Sequence, residues 1–220
     1  GLVDDVLADR AFVEQRQHSA AELGTLADLR GEAPSVAPHY VANALAAAAL
    51  ARAYGVGPLS VRDGLRAFRP DPHRIAEVAT VAGVRYVNDS KATNPHAAQA
   101  ALSSFDAVVW IAGGLLKGAD VDSLVEAMAP RLRGVVLLGA DRAQIAEALG
   151  RHAPEVPVVD AGGPDTGGMH DRSGEDVEAV MDRVVAAAAG LAQPGDVVLL
   201  APAAASMDMF ANYGERGRAF

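Results

Sequence analysis

An acid, two hydroxyls and a lysine are concentrated in the segment Asn88–Pro95, whose sequence is NDSKATNP. It follows the apolar alternation Val84–Val87, which predicts a short strand, and precedes a helical run that continues to Leu102. Asn94 suits the helix N-cap and the next proline suits the first helical position, so free N–H groups would point at this segment. Because open α/β sheets bind ligands at the carboxyl ends of their strands, the segment predicts a site for a phosphate or a carboxylate.

Three side chains of this segment are candidates for ligand contacts. Asp89 suits a ribose hydroxyl, Lys91 suits a phosphate or carboxylate, and Thr93 suits a hydrogen bond to the same anion. A polar loop that only caps the following helix contains the same residue types. The spacing alone leaves both interpretations open.

Two further loops follow apolar strands and would share the same edge of the sheet. Gly113–Gly118 places Lys117 among glycines, which let the backbone approach a ligand closely. Ala201–Ser206 consists of small residues, and Ser206 suits either a ligand oxygen or a helix cap. Each loop alone also fits an ordinary turn. Three such loops at one rim indicate a shared site, and two lysines there favour an acidic substrate.

Candidate nucleotide contacts lie on either side of a proline-containing linker at Arg69–Pro72. Asn43, near the start of a helix, suits an adenine edge, although a partly buried amide at a helix start explains it as well. Arg74 follows the linker, where a cation would meet a nucleotide at a domain junction. An exposed junction arginine without a ligand is an equal alternative.

Short apolar runs alternate with helical patterns after the linker. Ile75–Val81 and Val84–Val87 predict a hairpin, and Pro157 indicates a strand at the sheet edge. The pattern indicates an α/β fold with a mainly parallel sheet and helices on both faces. The other predicted elements are helices 95–104, Val121–Arg131, Arg142–Leu149, 177–185 (after a capping box at Ser173–Asp176) and Met207–Gly214, and strands Ala107–Ile111, Val135–Leu138, Val156–Val159 and Val197–Leu200.

The chain before the linker has weaker patterns. Residues 1–30 show little periodicity, and a chain that opens on glycine is expected to be a piece of a longer protein, with a processed or tagged N-terminus as the alternative. The predicted elements here are a loop at Gly31–Pro38, a helix at Tyr40–Tyr54 closed by Gly55, and a helix at Pro58–Arg66 capped by Ser60.

Composition excludes several classes of function. A net charge of -9 without a lysine or arginine run argues against nucleic acid or an anionic membrane as the main partner. The chain has no cysteine, so disulfides and thiolate metal sites are excluded and a reducing compartment fits. No apolar run approaches the ~18 residues that a membrane-spanning helix needs.

Several catalytic motifs are absent from the sequence. The glycine-rich stretch Gly162–Gly168 has no lysine and lacks the G-x-x-x-x-G-K-[ST] phosphate loop, so we interpret it as a connector. The histidines show no metal spacing, and neither G-x-S-x-G nor G-x-G-x-x-G is found.

Taken in chain order, these loops resemble the Mur ligases of peptidoglycan synthesis. The resemblance is firmest from Pro38 to Phe220, and the form DSKATN at Asp89–Asn94 is similar to the D-glutamate-adding members. The other matching signals are His73-Arg74, Gly113-Gly114 with Lys117-Gly118, the run Pro202–Phe210, and Glu215-Arg216-Gly217.

The resemblance implies a domain organisation. Residues 1–70 would be the C-terminal part of the central P-loop-type ATP-binding domain, and residues 71–220 the Rossmann-like amino-acid-binding domain. The UDP-sugar domain, the phosphate loop, the magnesium ligands and the family's carbamylated lysine would lie outside this chain. We therefore assign no metal ligand here and expect the chain alone to be inactive.

The resemblance also implies roles for individual residues. Thr93, Lys117, Ser206, Met207 and Tyr213 would hold D-glutamate. The ATP contacts would be Asn43, Arg74, Asp89 and Lys91, and Lys91 would also approach the acyl-phosphate as the catalytic cation. The chain departs from the family at two positions: Tyr40 stands where an asparagine is frequent, and Tyr213 where a phenylalanine is frequent.

The implied reaction is ATP-dependent amide formation. ATP, with magnesium, would phosphorylate the carboxylate of UDP-N-acetylmuramoyl-L-alanine, and the amine of D-glutamate would attack the acyl-phosphate. The resemblance implies a monomeric, cytoplasmic enzyme. The alternatives are another Mur-type or folylpolyglutamate-type ligase with a different amino acid, or a non-catalytic Rossmann-like binding domain.

Overall fold

The computed structural model describes residues 1–30, 36, 38–69, 71–162 and 177–220. The chain divides into two compact units, Gly1–Pro70 and Asp71–Phe220. Four sequence predictions fall wholly or largely outside the described residues: the loop at Gly31–Pro38, Pro70 of the linker, the connector Gly162–Gly168 and the capping box at Ser173–Asp176.

The first unit combines a small antiparallel sheet with helices. Its elements are strands β1 (Leu2–Val3), β2 (Val6–Asp9) and β3 (Ala21–Thr25), then helices α1 (Leu26–Arg30), α2 (Pro38–Ala53) and α3 (Pro58–Ala67). Sequence reasoning missed this sheet, because strands of two to five residues are too short to show a clear alternation.

Helix ends in the first unit test the capping predictions. The helix predicted at Tyr40–Tyr54 is present as α2, and Gly55 after it has a φ of 97°, as a closing glycine should. The cap predicted at Ser60 is wrong. Gly57 is the N-cap of α3 and Pro58 takes the first helical position, because its fixed φ suits the start of a helix.

The second unit is built on a six-stranded sheet with the order β4-β5-β9-β6-β7-β8. All neighbours are parallel except β4 and β5, which form the predicted hairpin. The strand that follows Pro157 lies at an edge, as predicted. The strands are β4 (Ala76–Val81), β5 (Val84–Asn88), β6 (Val108–Gly113), β7 (Leu132–Leu138), β8 (Val158–Asp160) and β9 (Val197–Leu200).

Helices cover both faces of this sheet, which confirms the predicted α/β architecture. Buried residues of α4 (Pro95–Leu102), α5 (Asp122–Met128) and α6 (Arg142–His152) form one core around Trp110. The opposite core contains α7 (Val177–Leu191) and packs against the end of α8 (Tyr213–Ala219). Between α5 and β7 the chain forms a 3-10 turn, where a longer helix was predicted.

The closing helix predicted at Met207–Gly214 is wrong in its position. The described helix begins at Tyr213, because the side chain of Asn212 accepts a hydrogen bond from the backbone N–H of Glu215. Residues between Ser206 and Phe210 instead form a single turn, closed by a backbone bond from the N–H of Phe210 to the carbonyl of Ser206.

Glycine at position 113 is required by close packing at the carboxyl end of β6. Its φ is 130°, and an added Cβ would overlap the carbonyl oxygen of Leu138 on β7. Gly150 offers a matched control, because an added Cβ on that exposed residue of α6 meets no atom within 4 Å.

We expect Gly113→Ala to lower the free energy of unfolding by about 3 kcal/mol, since backbone strain and overpacking add. Gly150→Ala should raise it by roughly 0.5–1 kcal/mol through helix propensity. Urea denaturation followed by the fluorescence of Trp110, the single tryptophan, measures both values. Equal stabilities of the two variants would contradict the packing argument.

Candidate functional site

A buried arginine joins the loops that follow three neighbouring strands. The guanidinium of Arg216, on α8, donates through Nε to the hydroxyl of Ser90 and through Nη2 to its carbonyl, both at 3.0 Å. Nη1 and Nη2 each donate to the carbonyl of Ala204 at 3.2 Å, and Nη1 also reaches that of Gly113 at 3.4 Å. Burial lowers the pKa of Arg216 to about 10, which still leaves the group charged at neutral pH.

Helix α8 is fixed to the end of β5 by further polar contacts. The Asn88 amide donates to the carbonyl of Gly217 at 2.6 Å, and the Ser90 hydroxyl donates to that of Tyr213 at 2.7 Å. Gly217 must lack a side chain, because an added Cβ would overlap the imidazole of His73. The sequence run Glu-Arg-Gly therefore has a structural explanation: the arginine joins loops and the glycine admits His73.

Lys91 and Tyr213 lie in direct contact. The ammonium of Lys91 donates to the phenol oxygen of Tyr213 at 3.0 Å and lies 4.1 Å from the centroid of its ring. Both side chains are half-buried. Two of the predicted site residues, on different elements, are therefore brought together.

Asp89 is hydrogen-bonded to the residue that directly precedes β4. Its side chain accepts a hydrogen bond from the backbone N–H of Ile75 at 3.2 Å, and the residue is only 7% exposed. Burial raises the pKa of the Asp89 carboxyl to about 6, although the Ile75 N–H and the charge of Arg74 lower it in part. Arg74 itself is exposed and forms an ion pair with Asp71 at 3.6 Å.

Backbone strain is concentrated around these residues. His73 and Ile75 have positive φ angles of 63° and 46°, and Ile75 is β-branched, so its conformation is costly. The Asp89 carboxylate stabilises this conformation through its bond to Ile75. Asp89 therefore also fixes the backbone that carries Arg74.

The loop Gly113–Gly118 is bound to both of its neighbours. Leu115 and Ala205 exchange backbone hydrogen bonds of 2.8 and 2.9 Å, and an added Cβ at Gly114 would overlap the carbonyl of Ala205. The Asp141 carboxylate accepts from the N–H of Leu116 at 2.7 Å. Lys117 follows on this rigid base, exposed and with a φ of 56°.

The loop after β9 carries the remaining predicted residues. Ser206 is buried, and its carbonyl accepts from the N–H groups of Met209 and Phe210, whereas Met207 is 62% exposed. Asp208 had no predicted role. Its side chain accepts from the N–H of Ala140 at 2.8 Å, and burial raises the pKa of its carboxyl.

Two further predicted residues, Thr93 and Asn43, lie before and within helices. The predicted cap at Asn94 is confirmed, because its side chain accepts from the N–H of Ala97 at 3.0 Å. Thr93, directly before it, is half-buried. Asn43 belongs to the first unit, where it is exposed on α2.

The two lysines on which the sequence prediction of an acidic substrate rests both lie at this rim. Only two of the nineteen lysine and arginine residues are lysines, and both follow strands that neighbour β9, Lys91 after β5 and Lys117 after β6. Within the described residues, neither forms an ion pair with a carboxylate. The rim therefore offers two unneutralised ammonium groups, as a site for an acidic ligand requires.

Family comparison assigns the chain to a class. Residues 73–204 match the family described as Mur ligase, glutamate ligase domain, and the chain belongs to this family. The UDP-N-acetylmuramoylalanine--D-glutamate ligases of Thermobifida fusca and Streptomyces avermitilis are 64% and 61% identical to it over 220 residues. These matches cover all of this chain and 44% of each relative, so the chain spans less than half of their length.

Solved structures support the same fold. The pseudomurein peptide ligase type C of Methanothermus fervidus matches with a TM-score of 0.53 and 15% identity, over 83% of this chain and 34% of its own. The folylpolyglutamate synthase of Mycobacterium tuberculosis matches with a TM-score of 0.52 and 18% identity, over 91% and 45%. At these identities the likeness establishes the Rossmann-like α/β fold alone.

We predict that Arg216→Lys destabilises the protein by about 3 kcal/mol, because an ammonium cannot replace the planar fork and leaves buried carbonyls unpaired. Arg218→Lys, an exposed change two positions along the same helix, should leave the midpoint of urea denaturation within error of the wild type. If the two lysine variants unfold at the same urea concentration, Arg216 does not hold the loops together.

Asp89 should make stability depend on pH. Its pKa is about 6 in the folded protein against an ordinary 3.8, so between these values the folded state retains a proton that the unfolded chain has lost. Stability associated with this group is therefore complete below about pH 4 and is lost as the pH rises through about 6.

Asp89→Asn keeps the acceptor for Ile75 and removes the titration. Its free energy of unfolding relative to the wild type should increase by on the order of 2 kcal/mol between pH 4 and pH 7. Urea denaturation at several pH values measures this difference, in which the other titrating groups cancel. A difference that does not change with pH would contradict the assignment.

Proposed function

We propose that this chain is the amino-acid-binding part of an ATP-dependent ligase that adds D-glutamate to UDP-N-acetylmuramoyl-L-alanine in peptidoglycan synthesis. The observation that carries the proposal is the rim fixed by Arg216, on which Lys91 and Lys117 have no carboxylate partner in the described part of the chain. The names of the similar ligases agree with an acidic amino acid as the substrate.

D-glutamate is proposed to bind between the loops after β5, β6 and β9. Lys117, exposed on a backbone that hydrogen bonds hold on both sides, supplies a charge-assisted bond to a glutamate carboxylate. Thr93, Ser206 and Tyr213 provide hydroxyls around it, and the exposed Met207 covers the aliphatic part of the substrate.

Four residues are proposed as ATP contacts. Arg74 supplies an exposed cation, Asp89 supplies a buried carboxyl for a ribose hydroxyl, and Lys91 supplies a cation for phosphate oxygens. Asn43 on α2 is assigned to the adenine. Residues 1–70 would accordingly be the C-terminal part of the ATP-binding domain.

The proposed reaction brings two anions together. The carboxylate of UDP-N-acetylmuramoyl-L-alanine is activated as an acyl-phosphate, and the amine of D-glutamate displaces the phosphate to form the amide. Lys91 stabilises charge that develops on the acyl-phosphate, while the rim orients the amine and so contributes proximity. A magnesium ion would assist phosphate transfer, but the described residues include no cluster that could hold one.

A compartment and an oligomeric state are also proposed for the enzyme. No helix in the described part of the chain is long and apolar enough to cross a membrane. We propose a monomeric enzyme of the cytoplasm that acts on small molecules, as the family resemblance implies, and the absence of cysteine fits a reducing compartment.

Lys117→Ala should weaken D-glutamate binding at least tenfold, because it removes a charge-assisted bond to a carboxylate. Arg133→Ala is the matched control, since it removes an equal charge at the amino-terminal end of β7, where Arg133 pairs with Asp196. Isothermal titration of each variant with D-glutamate, L-glutamate and D-alanine measures affinity and specificity. An unchanged affinity in Lys117→Ala, or equal binding of all three amino acids, would refute the assignment.

A further inference from the structure

Lys91, a lysine at a candidate anion site, contacts an uncharged side chain, that of Tyr213. The partner is a neutral phenol at 3.0 Å, and the ammonium also lies 4.1 Å from the centre of the same ring. Both interactions hold a cation without cancelling its charge, whereas a carboxylate partner would cancel it.

The backbone of Tyr213 is fixed by hydrogen bonds. The carbonyl of Tyr213 accepts a hydrogen bond from the Ser90 hydroxyl at 2.7 Å, and Ser90 is held in turn by Arg216. Asn212 caps the helix that Tyr213 opens. The backbone on both sides of the contact is therefore fixed, because Lys91 directly follows Ser90.

An ammonium suits this position better than a guanidinium. It has three N–H donors on one atom, so a bond to Tyr213 leaves two donors for another oxygen. Arginine is used at seventeen positions of this chain, and lysine at two, of which this is one.

We propose that Tyr213 is a positioning residue for Lys91: its hydroxyl and ring hold the ammonium in place with its charge intact, ready for a phosphate or acyl-phosphate oxygen. This inference rests on the proposed function for the identity of the anion that Lys91 binds. The contact between Lys91 and Tyr213 can be tested independently of the proposed function.

Amine acetylation of this chain tests the geometry, because the chain has only two lysines. Peptide mass spectrometry gives the acetylation rate of Lys91 relative to that of the exposed Lys117, which serves as an internal reference. Tyr213→Phe keeps the ring and should raise this ratio about fivefold through loss of one hydrogen bond. Tyr213→Leu should raise it by a further factor of about three through loss of the ring contact.

Inorganic phosphate, added at increasing concentration, tests whether the held charge is available. It should protect Lys91 in the wild type, and the concentration for half-protection should rise several-fold in Tyr213→Phe. Tyr86→Phe is the control, since it removes a phenol oxygen from β5 and should change neither the ratio nor the protection.

Two outcomes would overturn the proposal. One is an unchanged ratio of Lys91 to Lys117 acetylation in Tyr213→Phe, whether neither rate changes or both rise in parallel. The other is no protection of wild-type Lys91 by phosphate. A shifted ratio with an unchanged midpoint of urea denaturation separates positioning from a general loosening of the fold. If wild-type protein binds phosphate at Lys91 but not D-glutamate, the proposed function fails and the role of Tyr213 stands.

Discussion

The buried guanidinium of Arg216 is the interaction on which the site depends. It donates to oxygen atoms of three loops that are far apart in the chain, at Ser90, Gly113 and Ala204. Loop carbonyls that are buried without partners are costly, so one planar group with five donors satisfies them and sets the loop spacing. A cation is needed here for its geometry, and burial of that cation is tolerated because nearly every donor is used.

The two kinds of cation at this rim are used in opposite ways. Arg216 directs its hydrogen bonds inward and is 1% exposed, whereas Lys117 is exposed and the Lys91 ammonium donates to a phenol. Strained backbone occurs at His73, Ile75 and Lys117, beside the same groups. Strain and uncompensated charge both lower stability, so their presence at one rim agrees with the proposed binding role of these loops.

The sequence predicted the strands of the second unit, the hairpin and the grouping of three loops at one edge of the sheet, because short apolar runs and glycine loops are local signals. It missed the sheet of the first unit, whose strands are too short for periodicity, and it placed the closing helix too early because the cap at Asn212 was not recognised. It gave Arg216 no role. A single arginine in an ordinary helical turn carries no sign of partners more than one hundred residues away.

The position of β9 affects how the second unit folds. This strand lies between β5 and β6, although it is the last of the sheet in chain order. Its pairing with both neighbours joins segments that are far apart in the chain, and such non-local pairings form slowly because loop-closure entropy is lost first. The loops after β5 and β6, which carry Lys91 and Lys117, therefore reach their final spacing when β9 inserts between these strands.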